Sequence, residues 1–270
     1  MDFALSPEQE AIREGVSAVC ARFDDAYWLQ RDREGGFPHD FHRAMAEAGW
    51  LGICIPEEYG GSGLGITEAT IMMEAIAASG AGMSGATAVH LNIFGLNPVV
   101  VFGTAEQKAR MLPPIARGEV KACFGVTEPT TGLDTTRLKT RAERKGDRYV
   151  VNGQKVWIST ARVADNILLL ARTTPIERCR SPADGISLFY TRLDRTRASV
   201  REIEKMGRKA VDSNEIFFED FEVPAEDRIG EEGQGFRQIL HGLNPERVLI
   251  MPDGTEDQWN PEYAELISVS

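Results

Sequence analysis

The sequence predicts an α+β protein in which a helical region is followed by a region of β-strands and then by a final helix. Helix-start signals and apolar residues at helical spacing dominate residues 1–120. Short runs of β-branched and aromatic residues separated by turns dominate residues 121–232. A helical apolar pattern returns at residue 233. We therefore divide the chain into domains at 1–120, 121–232 and 233–270.

The helical region contains two capping boxes. Ser6-Pro7-Glu8-Gln9 starts the first helix, with proline at its first position. Thr104-Ala105-Glu106-Gln107 starts another, which Pro113 and Pro114 are expected to interrupt or end. Further helices are predicted from Pro38 to Gly49 and over Thr67–Ala78. The glycine-rich segment 55–63 is a loop and has the wrong spacing for a dinucleotide fingerprint.

The β region is marked by turns. Lys145-Gly146-Asp147 predicts one hairpin, and Asn152-Gly153 predicts another because both residues tolerate a positive φ. Three more strands are predicted at Ile167–Arg172, Ile186–Tyr190 and Glu215–Phe221.

The strand after Asn152-Gly153 carries a candidate binding surface. Trp157 and Ser159 are two residues apart and should project from the same face of a strand. An aromatic plane beside a hydroxyl suits a heteroaromatic ligand that is both stacked and hydrogen-bonded. The alternative is that Trp157 is a core aromatic of a β-meander.

The final helix opens at Gly233–Phe236 and has apolar residues at helical spacing, namely Phe236, Ile239, Leu240 and Leu243. Pro245 is expected to kink this helix or restart it at Asn244.

Composition limits the classes of function. A chain of 270 residues can form about two domains of ordinary size. Its net charge of −11 argues against nucleic acid as the main partner. A local basic patch is nevertheless present, and it is either an anion-binding surface or a solvated hairpin face; its members are Arg137, Lys139, Arg141, Arg144 and Lys145.

The cysteines and histidines show no metal-site spacing. The four cysteines contain no Cys-x-x-Cys pair, which favours unpaired thiols in a reducing compartment. His39 and His42 are expected to be solvent-exposed. No leader peptide and no apolar stretch near the roughly 20 residues that span a bilayer are evident, so a cytoplasmic location is expected.

Three ordered blocks resemble the acyl-CoA dehydrogenase family of flavoproteins. They are Val126-Thr127-Glu128-Pro129, Gly132-Leu133-Asp134 and Trp157-Ile158-Ser159. Pro56-Glu57-Glu58-Tyr59-Gly60-Gly61 looks like a loop of that family's N-terminal domain. The resemblance implies an FAD cofactor, and the candidate cofactor-binding residues are Phe124, Val126, Thr127, Gly132, Leu133, Trp157, Ile158 and Ser159.

Two positions depart from the family pattern. Leu133 stands where the family usually has a serine that hydrogen-bonds cofactor or acyl-CoA, so that contact is expected to be absent. Thr131 stands where a small residue is usual.

The last helix carries the candidate catalytic residue. Glu246-Arg247 matches the position of the catalytic glutamate in the isovaleryl-CoA and long-chain branches of the family. Asn244 and Arg247 match positions near the substrate. A carboxylate desolvated beside flavin and acyl chain would act as a general base. The alternative is that Glu246 is a surface residue partly neutralised by Arg247.

The resemblance covers residues 1–250. It implies an N-terminal helical domain, a middle antiparallel β-sheet or barrel domain, and only the first helix of a C-terminal four-helix domain. The acidic tail 251–270 looks unrelated, so we expect a truncated chain with an exposed apolar surface.

Three hypotheses about function follow from these observations. The first is FAD-dependent dehydrogenation of an acyl-CoA thioester, with an electron-transfer flavoprotein as acceptor and a homo-oligomer if the chain is complete. The second is a related flavoprotein, either an acyl-CoA oxidase or a flavin monooxygenase. The third is a truncated non-catalytic remnant.

Overall fold

The computed structural model describes residues 4–249, with side chains described through residue 244. Within that range the first half of the chain is helical, and a last helix follows the strands. The helices are α1 Pro7–Cys20, α2 Asp25–Glu34, α3 His39–Glu47, α4 Ile66–Ile76, α5 Gly82–Phe94, α6 Asn97–Phe102, α7 Ala105–Ala116 and α8 Gly235–Leu249.

Both capping boxes are confirmed. The Ser6 Oγ accepts from the Gln9 N–H at 3.2 Å, and the Gln9 Oε1 accepts from the Ser6 N–H at 3.1 Å. Thr104 and Gln107 make the same reciprocal pair at the start of α7. Each pair satisfies two backbone groups that a helix start leaves without partners.

The expectation that prolines end α7 was wrong. The helix continues through Pro113 and Pro114 to Ala116. The prolines fall in its last turns, where each removes one backbone hydrogen bond, and burial of Met111, Leu112 and Ile115 offsets that loss.

Helices α2, α5 and α6 were not predicted from sequence. In α5 every residue from Gly85 to Phe94 is buried, so it has no polar face and no amphipathic period. The helical stretch Ile66–Phe102 is also apolar and long enough to cross a membrane, contrary to expectation. Its most apolar window is 78% buried inside the protein, which fits a core helix.

The β region forms one mixed sheet, in which the described strands follow the order β6-β7-β3-β2-β4-β5-β8 and β1 pairs with β4. Most pairs are antiparallel, whereas β1 and β2 each run parallel to β4. The strands are β1 Ala122–Gly125, β2 Arg141–Lys145, β3 Arg148–Ser159, β4 Asn166–Arg172, β5 Ile186–Arg192, β6 Ala198–Glu202, β7 Ser213–Pro224 and β8 Arg228–Ile229. The Gly146-Asp147 hairpin is confirmed, because Lys145 pairs with Arg148.

The second predicted hairpin, at Asn152-Gly153, was wrong, because β3 runs straight through this dipeptide. Val151 pairs with Phe221 and Gly153 with Phe218, so two residues of β7 face Asn152 alone. At this bulge the Asn152 side chain accepts a hydrogen bond from the Asp220 backbone N–H and donates one to the Asp220 carboxylate. The Asn152-Gly153 dipeptide, although typical of hairpin turns, therefore lies at a β-bulge.

Helix α8 packs where the helical region meets the sheet. Its Ile239 is buried in a core that α6, α7, β4 and β5 share. The helix continues through Pro245, so the restart expected at Asn244 is absent from the described backbone. This packing closes one side of a cleft between helices and strands.

Candidate functional site

A cleft of about 240 Å³ lies between α5, the end of β1, the last residues of β3 and α8. It is smaller than three surface hollows of about 460, 850 and 510 Å³, but none of the candidate cofactor residues lines those. Six of the eight candidate cofactor residues line the cleft, which is formed by His90, Leu91, Phe124, Val126, Thr127, Thr135, Trp157, Ile158, Ser159 and Leu243. The cleft therefore gathers most of the predicted surface.

Phe124 reaches the cleft from β1. The strand is fixed by parallel pairing with β4, in which Phe124 lies opposite Leu168. The ring of Phe124 packs closely over Gly95, where an added Cβ would lie 2.3 Å from the ring. Because only glycine leaves room there, Gly95 sets the position of this aromatic side chain.

The loop after β1 is held by a buried ion pair. The Lys155 Nζ donates to the Glu128 Oε1 at 2.9 Å and to the carbonyl oxygen of Val126 at 3.0 Å. Glu128 also accepts from the backbone N–H groups of Lys139 at 2.6 Å and Thr140 at 2.9 Å. This pair gives the Thr-Glu-Pro block a structural role beside its family resemblance.

Both members of the pair are charged at neutral pH. Burial alone would raise the pKa of Glu128, but the Lys155 charge and the backbone N–H of Lys139 outweigh it and hold that pKa below its ordinary value. Burial lowers the pKa of Lys155 to about 8, against the opposing effect of Glu128.

Trp157 lies at the mouth of the cleft in a strained conformation. Its φ is 62°, in the left-handed region that large residues rarely adopt, and its side chain is 64% exposed. Lys155 pairs with Ile216 and Ile158 with Asn214, so two residues of β3 face one of β7 here. Such a bulge re-aims a side chain. Trp157 and Ser159 both line the cleft, but so does Ile158 between them, because the bulge interrupts the regular alternation of β3.

Two candidate cofactor residues lie apart from the cleft lining. Gly132 and Leu133 are exposed, and Leu133 has no measurable burial. The next residue, Asp134, caps a short turn by accepting from the Thr136 N–H at 3.2 Å. The loop therefore presents Leu133 to solvent beside the cleft's Thr135.

The candidate residues of α8 are only partly described. Asn244 is exposed, and its neighbour Leu243 lines the cleft. The backbone of Glu246 and Arg247 belongs to α8, but their side chains lie outside the described residues, as do residues 250–270.

His90 and Leu91 were missed by the sequence analysis, because α5 itself was missed. The His90 ring is buried, and its Nδ1 lies 3.2 Å from the carbonyl oxygen of Thr87, one turn earlier. Because α5 is buried on all sides, its sequence has no amphipathic period to indicate that one face borders a site.

His42 is buried rather than exposed, contrary to expectation. Its Nε2 lies 2.9 Å from the Asn92 amide nitrogen, and the Asn92 Oδ1 accepts from the Ala122 N–H at the start of β1. Burial and the Lys121 charge lower the pKa of His42 to about 3. Among the described residues, no group of three or more His, Cys, Asp or Glu could hold a metal ion.

The basic patch is exposed throughout. Arg137 pairs with Asp134 at 3.0 Å, and Arg144 lies over the Tyr149 ring at 5.9 Å. Arg137 and Arg144 thus each make a contact within the protein.

Comparison with known proteins shows which proteins this chain resembles. The family model for the acyl-CoA dehydrogenase N-terminal domain matches residues 6–119, and that for the middle domain matches residues 123–221. The probable acyl-CoA dehydrogenase YngJ of Bacillus subtilis is 35% identical over 253 residues, which is 93% of this chain and 65% of the relative. The mitochondrial isovaleryl-CoA dehydrogenase of Pongo abelii is 31% identical over 91% of this chain and 58% of its own length.

A solved structure is similar over the same extent. The butyryl-CoA dehydrogenase of Megasphaera elsdenii superposes with a TM-score of 0.86 at 27% identity, over 94% of this chain and 66% of that one. The chain thus spans about three fifths to two thirds of the length of these proteins. The helical domain, the middle sheet domain and the following helix match that fold in order. This chain belongs to the acyl-CoA dehydrogenase family, as the two matched domains, the similar relatives and the shared fold show.

Proposed function

We propose that the cleft binds the isoalloxazine ring of FAD and that the chain takes part in α,β-dehydrogenation of an acyl-CoA thioester. The observation that carries the proposal is the exposed Trp157, held with strained backbone next to Ser159 and Thr127 in one cleft. Strain at an exposed aromatic residue is costly for folding alone and is common at ligand sites.

The residues present fit a flavin ring. Trp157 and Phe124 supply aromatic surface, Thr127 and Ser159 supply hydroxyl groups, and Val126 and Ile158 supply apolar contact. The cleft volume of about 240 Å³ accommodates part of a cofactor of this size, so the remainder of FAD would lie over adjacent surface. Bound FAD would accept a hydride equivalent from the β-carbon of the substrate.

The chain's own contribution would be orientation and proton removal. Glu246, which follows Leu243 by less than one turn of α8, would take the α-proton of the thioester. Asn244 and Arg247 would contact the substrate near that carboxylate. The resemblance to the isovaleryl-CoA dehydrogenase branch supports this assignment.

The partners we propose follow from the family. An electron-transfer flavoprotein would reoxidise the cofactor, a homo-oligomer is the expected assembly, and the four unpaired cysteines support a cytoplasmic location. An acyl-CoA oxidase or a flavin monooxygenase would differ from a dehydrogenase because its reduced flavin would react rapidly with oxygen.

The test is the visible absorption spectrum of the purified chain, recorded with and without added FAD. A flavin spectrum that bleaches anaerobically with butyryl-CoA or isovaleryl-CoA supports the proposal. Slow reoxidation by air would separate a dehydrogenase from an oxidase. A colourless protein that does not bind FAD contradicts the proposal and favours a non-catalytic remnant.

A further inference from the structure

The strain at Trp157 requires neighbours that hold it in place. A large residue with positive φ relaxes unless the surrounding structure fixes it. At Trp157 the side chain is mostly exposed, so its own packing supplies little of that constraint. The constraint has to come from the residues on either side of it in β3.

On the N-terminal side, Lys155 connects β3 to the loop that forms another part of the cleft. Its fully buried side chain reaches the Val126 carbonyl oxygen and the Glu128 carboxylate. The next residue, Val156, donates its N–H to the carbonyl oxygen of Thr127 at 3.0 Å. Lys155 and Val156 therefore fix the distance between Trp157 and the Val126-Thr127 segment.

On the C-terminal side, Ile158 is fixed by Asn214 of β7. The Asn214 side chain is fully buried and donates to the Ile158 carbonyl oxygen at 2.8 Å. Trp157 is thus the one exposed residue between two buried hydrogen-bonded positions.

Burying an ion pair carries a large desolvation penalty. Well-packed apolar residues of similar volume are often as stabilising as a buried pair, or more so. Lys155, however, makes a hydrogen bond to a backbone carbonyl that no apolar side chain can make. This hydrogen bond fixes the position of the Val126 backbone.

We propose that Lys155 is a positioning residue for the cofactor cleft: with Glu128 it locks the Val126-Thr127 segment and the bulge at Trp157 in the geometry that receives a flavin ring. Lys155 is buried behind this surface and is not itself among the residues that line the cleft. The inference rests on the proposed function, and its test therefore includes a measurement that needs no flavin.

The experiment compares wild-type protein with Lys155→Met, with the double variant Lys155→Met/Glu128→Gln, and with Lys209→Met as a control at an exposed lysine. The double variant leaves no lone buried charge, although its single amide oxygen can replace only one of the two Glu128 oxygens that accept the N–H groups of Lys139 and Thr140. Each protein is labelled with 5-fluorotryptophan. The Trp157 ¹⁹F resonance is assigned with Trp157→Phe, and the buried Trp28 serves as an internal reference. FAD binding is titrated by flavin fluorescence on the same samples.

We expect the Trp157 resonance to shift or broaden in both Lys155 variants while the Trp28 resonance stays in place. FAD affinity should fall by about tenfold or more in the same two variants, because small displacements of a positioned surface are costly. Lys209→Met should match the wild type in both measurements.

A folded double variant with an unchanged Trp157 resonance and FAD affinity within about twofold of wild type would overturn the proposal. If the wild-type chain binds no flavin, the proposed function fails, while the ¹⁹F comparison still decides whether Lys155 positions Trp157.

Discussion

Lys155 and Glu128 form an ion pair inside the protein, with Nζ and Oε1 2.9 Å apart and side chains that are 0% and 3% exposed. They are 27 residues apart in the chain, so the contact ties the loop after β1 to the middle of β3. Surface ion pairs contribute little to stability, but removing one partner of a buried pair leaves a charge without solvent or counter-charge.

Lys155→Met should lower the free energy of unfolding by roughly 3 to 5 kcal/mol, because Glu128 would remain buried without its counter-charge. Lys155→Met/Glu128→Gln should recover part of that loss, because no lone charge remains, while the amide NH2 replaces one of the two acceptor oxygens. Urea denaturation of both variants and the wild type measures the difference. A double variant no more stable than Lys155→Met would show that the loss came from packing and hydrogen bonds and not from the lone charge.

Trp157→Gly should change the free energy of unfolding by less than about 1 kcal/mol, because the lost contacts of an exposed ring are offset by relief of the positive φ. The same variant should bind FAD at least about tenfold more weakly, since it loses the aromatic face. Trp28→Ala is the contrasting variant: its ring is buried among Tyr27 and Phe41, and its loss should cost roughly 3 to 5 kcal/mol. A Trp157→Gly protein that is as unstable as Trp28→Ala would mean that Trp157 serves the core.

The sequence contained most of the information for the architecture, because capping boxes and strand composition act locally. Ser6, Thr104 and the Gly146-Asp147 turn appear where their local chemistry predicts them. Helix α5 escaped detection because burial on all sides removes the amphipathic period that identifies a helix. The Asn152-Gly153 error arose because the same dipeptide suits a hairpin turn and a bulge, and only the partner strand decides between them.

The site was predictable to the extent that its residues lie on one strand or in one motif. Trp157 and Ser159 line the same cleft, as the sequence led us to expect, but Ile158 lines it as well because a bulge interrupts the two-residue period of the strand. The buried partnership of Lys155 with Glu128, and the approach of His90 from α5, depend on contacts between segments far apart in sequence. No local pattern encodes such contacts.

Glu246→Gln should reduce acyl-CoA turnover by about 10² to 10⁴-fold and leave FAD affinity unchanged, because it removes a general base without altering the cofactor surface. The measurement is the anaerobic rate of flavin reduction by isovaleryl-CoA. Glu219→Gln, at an exposed position of β7, is the matched control. Normal reduction by the Glu246→Gln variant would place the base on another residue.

The buried His42 should make the protein less stable in mild acid. The pKa of His42 is about 3 in the folded protein and near 6.5 in the unfolded chain. Below pH 6.5 the unfolded chain therefore binds a proton at His42 that the folded protein does not bind. Its stabilising contribution is therefore complete above pH 6.5 and is lost as the pH falls towards 3. Between pH 7 and pH 5 the loss should be about 2 kcal/mol.

Urea denaturation at pH 7 and pH 5 measures this loss. His42→Gln should be less stable at pH 7 and show a smaller difference between the two pH values. His241→Gln, at an exposed position of α8, should keep the wild-type difference. An unchanged pH dependence in His42→Gln would assign the acid sensitivity to other groups.

Gly95→Ala tests whether the position of Phe124 depends on the absence of a side chain at residue 95. The added methyl group would lie 2.3 Å from the Phe124 ring, so the ring or the backbone of α5 has to move. Overpacking of this kind costs about 1 to 3 kcal/mol, and the displaced ring should also weaken FAD binding. Gly207→Ala is the control, because nothing lies within 4 Å of its added methyl group.

Gly95→Ala/Phe124→Leu should regain part of the lost stability, because the shorter side chain makes room for the methyl group. It should not regain FAD affinity, because the aromatic contact is gone. Recovery of both properties would mean that Phe124 serves only to fill space, and recovery of neither would place the clash in the backbone at Leu91.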